Sequence, residues 1–152
     1  MMDNAAQVPS VEPFDDLLQE IRVLLAGSQV LTAFLVTLPF SSGFTRLSGS
    51  ERNVYAATFL TVLLSLVLFA TPAAYHRLVW PVPDRRRFKR LSTRLVIAGL
   101  IPLSVALVLA THLVLTEVLR AAETGTATAL VAAVILVMWW LWPLARRRSS
   151  HE

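Results

Sequence analysis

The 152-residue chain contains no cysteine, which excludes disulfides, thiolate metal sites and a cysteine nucleophile. Charge is also scarce. Charged residues make up 16% of the chain, against about a quarter in an ordinary soluble domain. No Asp or Glu falls in the middle of an apolar run, so a carboxylate at mid-depth in a bilayer is missing. There is no Gly-rich phosphate loop, no G-x-S-x-G and no H-E-x-x-H. Nor is any polar stretch long enough to enclose an active site, so no enzyme activity, cofactor or metal is expected. The first 20 residues hold no Lys or Arg but do hold Asp3, Glu12, Asp15, Asp16 and Glu20. A secretory signal opens with positive charge, so the first apolar segment is expected to stay in the mature protein.

What is abundant is apolar sequence, at 55% of residues with a mean hydropathy of +0.61. It comes in runs that suit lipid, since a spanning helix needs roughly 20 mostly apolar residues. Residues 1–12 read as a mobile tail, with a helix starting near Pro13. Phe14, Leu17, Leu18, Ile21 and Leu25 recur at helical spacing opposite Asp15, Asp16, Gln19 and Glu20, an amphipathic lead-in that flows into span one. Four spans are predicted at about 23–40, 53–80, 92–116 and 126–144 within a 13–145 transmembrane domain, followed by a basic tail, 146–152. Pro72 is expected to bend the second span, and Pro81 and Pro83 to end it. "DRRRFKR" then reads as a basic loop, and "EVLRAAE" as a helical extension of span three stopped by Gly125. The expected fold class is all-α, a polytopic four-transmembrane-helix bundle.

The basic residues give a direction to this layout. Arg22, Arg77, Arg85, Arg86, Arg87, Lys89, Arg90, Arg94, Arg146, Arg147 and Arg148 fall on one side, which leaves Arg46, Arg52 and Arg120 on the other. Short loops rich in Lys and Arg stay cytoplasmic, so both termini are expected inside the cell, in a bacterial inner membrane. Trp80, Trp139, Trp140 and Trp142 lie at span ends that reach the same face, where indole suits the headgroup level. These four, with Arg85, Arg86, Arg87, Lys89, Arg90 and Arg146–Arg148, are the expected lipid-headgroup anchors. The net charge of +4 therefore suggests anionic lipid as a partner in preference to nucleic acid.

Polar residues inside spans are the functional candidates, because each costs free energy in hydrocarbon unless paired or wet. In span one Arg22, Ala26, Gln29, Ala33 and Val36 share a helical stripe. A packing face is expected there, with interhelical bonding by Gln29, and a transport path is the alternative. In span two Thr58, Thr61, Ser65, Phe69, Pro72 and His76 share a face. Its hydroxyls are expected to return to backbone carbonyls. Alternatively, the face is a hydrated path ending at His76, whose imidazole titrates near neutral pH. Glu20 and Arg22 lie at a similar depth to His76 and Arg77, so a Glu20–Arg77 or Glu20–His76 contact is expected as a hypothesis. His112 lies far from His76 in depth, which argues against a shared metal site. It is expected as a hydrogen-bonded interfacial residue or, with Glu117, as a cation or proton site at the outer mouth.

The segments "LLQEIRVLLAGSQVLTAFLVTLPF" and "YAATFLTVLLSLVLFATPAAYHRLVW" resemble a family of small four-helix bacterial membrane proteins, mainly actinobacterial and of unknown function. The resemblance spans most of residues 15–145 and rests on Glu20-Ile21-Arg22, Gln29, Leu38-Pro39-Phe40 and Ala74-Tyr75-His76-Arg77. It implies an uncharacterised membrane protein, in a family where some members are labelled sodium:proton antiporters. Two functions remain open. One is a small ion or proton channel or transporter working as a homo-oligomer, with Glu20, Arg22, Gln29, His76, Arg77 and His112 lining or gating the path. The other is an accessory membrane protein that docks a partner or anionic lipid.

Overall fold

The structure, a computed structural model, describes residues 12–79 and 85–149, with side chains over 19–79 and 86–146. Residues 1–11 of the expected N-terminal tail, Trp80, Pro81 and Pro83 lie outside the described residues, as do the side chains of Phe14, Leu17, Leu18, Arg85, Arg147 and Arg148. The described residues are helical almost throughout. They form α1 (Glu12–Thr37), short 3-10 turns at Leu38–Phe40 and Phe44–Arg46, α2 (Gly49–Leu78), α3 (Arg85–Thr116) and α4 (Ala121–Ile135). A π-helical stretch, Leu136–Leu141, carries α4 into α5 (Trp142–Ser149), with helical dihedrals at both junctions. Four segments are long and apolar enough to cross a membrane: Gln19–Phe40, Gly49–Leu78, Arg86–Thr116 and Ala121–Arg146.

α1 is one helix, so the lead-in and span one are continuous. α2 starts four residues before the expected Asn53, because Ser48 and Glu51 form a capping box. The Glu51 N–H donates to Ser48 Oγ at 3.4 Å, and the Ser48 N–H donates to Glu51 Oε2 at 2.7 Å. That Ser-x-x-Glu spacing is plain in the sequence. α2 continues through Pro72 as a helix, with Pro72 itself buried.

Two expected loops are different. The arginine cluster is not a loop, since Arg85–Arg90 form the first turns of α3. Arginine is a good helix former, and Phe88, 4% exposed, anchors these turns against Tyr75 and His76 of α2. Nor does span three continue to Gly125. α3 ends at Thr116, the chain turns over 117–120, and Gly125 sits inside α4. The turn closes without a glycine. The Leu119 N–H donates to the Leu115 carbonyl at 2.8 Å, and buried Thr124 donates its hydroxyl to the same carbonyl at 3.2 Å. The orphan acceptor of the helix end is thus satisfied from the next helix.

α2 and α3 form a long antiparallel hairpin with the most extensive contact in the molecule. α1 lies against α2 and touches α3 lightly, whereas among the described residues α4 contacts α3 alone of the other spans. The arrangement is therefore an open row closed only around α1, α2 and α3. Its core has two parts. Ile21, Phe69, Val96 and Leu103 gather toward the end where α1 begins, and Leu35, Val62 and Ala106 toward the other. The tightest point is Gly99, where a Cβ would lie 2.6 Å from Phe69 Cε1, so the hairpin closes there only because position 99 has no side chain. Outward faces carry Val30, Phe34, Leu60, Leu64, Val67, Leu130 and Val134, a surface suited to hydrocarbon and not to water.

Candidate functional site

On α1 the buried seam is Ile21, Ser28 and Leu35, one every seventh residue. Ser28 donates to the Leu24 carbonyl at 2.9 Å and Thr32 to the Ser28 carbonyl at 2.7 Å, so the small polar groups are satisfied within the helix. The stripe expected to pack is on another face: Arg22, Ala26, Gln29, Ala33 and Val36 are all exposed. The seam repeats at heptad spacing, and Ile21 and Leu35 supply its large apolar contacts, with more surface to bury than the alanines have. Arg22 donates to Gln19 Oε1 at 3.1 Å on its own helix. Glu20 is exposed, and among the described residues it forms no ion pair with Arg77.

On α2 the face bearing Thr58, Ser65, Phe69 and Pro72 is buried. Its hydroxyls turn back on the helix: Thr58 to the Val54 carbonyl at 2.7 Å, Thr61 to Ala57 at 2.8 Å and Ser65 to Val62 at 2.7 Å. This is the packing arrangement expected of such residues. It ends at His76, half-buried, whose ring centroid is 5.8 Å from that of Phe88 at a 54° tilt. Phe88 also stacks on Tyr75 at 5.8 Å. The aromatic clamp thus joins the arginine-rich ends of α2 and α3, with Arg77, Arg86, Lys89 and Arg90 exposed around it.

One residue that patterning missed lies near this end. Ser92 is 1% exposed, and its Oγ is the one buried side-chain polar atom without a partner among the described residues. The sequence carries a faint signal for it, since Phe88, Ser92 and Val96 recur every fourth residue on the buried stripe of α3.

His112 and Trp140 tie the fourth span to α3. His112 Nδ1 lies 3.4 Å from Thr128 Oγ1, and either can donate; the partner is Thr128 and not Glu117. Trp140 donates Nε1–H to Ser104 Oγ at 3.4 Å, and Ser104 in turn donates to the Leu100 carbonyl at 2.7 Å. Trp140 was expected at the headgroups, but its N–H is used between helices at the middle of α3. The π-helical stretch around it borders a groove of about 230 Å³ lined by Val105, Val108, Ala132, Leu136 and Trp140. Trp139 and Trp142 remain outward, and the Arg146 guanidinium lies 5.3 Å from the Trp142 ring centre. At the other end a cleft of about 290 Å³ runs between Leu38, Phe44 and Leu47 and the end of α3, with exposed Glu117 among its lining residues.

The six transport candidates therefore do not form one site. Glu20, Arg22 and Gln29 lie outward on α1; His76 and Arg77 lie at the arginine-rich end. His112 is 24 residues beyond Phe88 on α3, about 36 Å along the axis. Among the described residues no three His, Asp or Glu gather as metal ligands.

These features define an all-α integral membrane protein with four spans. More narrowly, the chain belongs to the family of unknown function DUF6328, whose sequence profile matches residues 12–143. No curated protein and no solved structure matches it.

Proposed function

We propose that this chain is a small ion- or proton-conducting channel or transporter of the bacterial cytoplasmic membrane, working as a homo-oligomer with both termini inside the cell. The observation that supports it is the distribution of polar side chains. Between α1, α2 and α3 the interior is filled by Leu35, Val62 and Phe69, all fully buried, and the Thr58 and Ser65 hydroxyls there donate to backbone carbonyls. Arg22 and Gln29, two turns apart, instead share an outward stripe of α1, and Glu20 is exposed on another side of the helix. A polar route along that stripe becomes enclosed only when copies come together. In such an assembly Gln29 gates the route at mid-depth, where the carboxamides of adjoining copies meet. Arg22 stands at its inner mouth, with Glu20 at a similar depth on another side of α1, and His76 beside the aromatic clamp exchanges protons near that mouth.

Purified protein in liposomes, driven by a pH gradient, tests this through proton and sodium flux. Flux above that of empty vesicles is expected, lowered several-fold by Gln29→Leu and shifted in pH dependence by His76→Ala. Flux no greater than in empty vesicles contradicts it. A second reading, a non-conducting accessory protein held on anionic lipid or a partner, is favoured by the exposed Arg86, Lys89 and Arg90 at the start of α3. It expects no flux, but tighter association with anionic than with neutral lipid.

A further inference from the structure

Gln29 stands at the midpoint of the Gln19–Phe40 span. Its side chain is exposed and makes no hydrogen bond among the described residues. Thr32, Thr58, Ser65, Thr71, Ser104 and Thr111 each donate to a carbonyl of their own helix, and the unpartnered Ser92 hydroxyl is enclosed within the chain, out of reach of any second molecule. A carboxamide has two N–H donors and an acceptor, and leaving them unpaired in hydrocarbon is costly. The fourth span is exposed too, but its outward side chains, Leu130, Val134, Val137 and Leu141, are apolar and need only lipid. The unmet demand that faces outward at mid-depth is on α1.

A second copy of this chain meets it in the simplest way. Copies inserted in the same sense place residue 29 at the same depth, and a carboxamide is complementary to itself, each donating to the other across a two-fold axis. Ala26 and Ala33 flank Gln29 at a spacing of three and four residues and are also exposed, so the two helices can approach closely. At the inner end Arg22 is already engaged by Gln19. Its head lies at the headgroup level, where water and lipid phosphate screen one guanidinium from the other. We infer that the Ala26–Gln29–Ala33 face of α1 is where two copies of this chain meet in the membrane, joined by paired Gln29 carboxamides. The inference rests on the homo-oligomeric reading above and names its interface.

The absence of cysteine makes the test clean. Single-cysteine variants A26C and A33C, each keeping Gln29, are oxidised in native membranes beside F34C, an exposed position on another side of α1. Disulfide-linked dimers are expected from A26C and A33C and not from F34C. In detergent, Gln29→Leu is expected to raise the dimer dissociation constant about tenfold, and Gln29→Asn to restore most of the affinity. Cross-linking through F34C with A26C and A33C silent overturns the interface while leaving a homo-oligomer standing. A dimer unaffected by Gln29→Leu removes the paired carboxamides. A chain that is monomeric in membranes and in detergent sinks both the interface and the oligomer.

Discussion

Phe69 and Gly99 show how closely single residues set the packing here. The ring occupies the space that a methyl group at position 99 would need. Gly99→Ala therefore forces a fully buried ring to move and should cost about 1–3 kcal/mol of stability, measured by reversible unfolding in mixed micelles. Phe69→Leu in the same chain should recover part of that loss, and a strictly additive double mutant would contradict the contact. Ser92 is the opposite case. Its hydroxyl is buried without a partner, so Ser92→Ala removes an unsatisfied group and should be neutral or slightly stabilising. A loss above about 1 kcal/mol would mean the hydroxyl has a partner after all. Neither residue stands out in the sequence by type. Gly99 reads as one more small residue in an apolar run, and its role depends on which ring lies across from it.

At the scale of elements, the segments that cross the membrane were legible from apolar length alone, while their ends were not. The first turns of α3 looked like a loop because six positive charges crowd Arg85–Arg94. Cations at a helix N-terminus oppose the dipole, and what holds the turns is tertiary, Phe88 against Tyr75 and His76. The turn between α3 and α4 was hidden for a related reason, because its closing bond joins Thr124 to Leu115 across nine residues. Thr124→Val keeps the shape and removes that bond. It should lower stability by about 1 kcal/mol, with Thr124→Ser nearly unchanged, in the same unfolding measurement. Equal losses in the two variants would assign Thr124 a packing role only. The π-helical stretch Leu136–Leu141 carries no breaker and no motif. The candidate sites fared unevenly at this scale. The face of α2 was legible because hydroxyl-bearing residues at helical spacing have an evident use. The outward turn of Gln29 was not, since a polar and small stripe suits a packing face and an open face equally.

For the whole molecule the balance of charge and the tryptophans make one statement about direction. Eleven of the fourteen Lys and Arg fall at the ends of spans that share one face. Trp139 and Trp142 stay outward near that face, while Trp140 turns in to Ser104. The proposed route along the outward stripe of α1 takes its inner and outer mouths from this direction. The most direct test is labelling of single cysteines in intact cells by a membrane-impermeant reagent, in a chain that has no cysteine of its own. Positions 48 and 119, in the two turns opposite the arginine-rich end, should be labelled from outside, and position 86 only after the membrane is opened. Labelling at position 86 in intact cells, with 48 and 119 protected, would contradict the four-span arrangement's assigned direction and the mouths built on it.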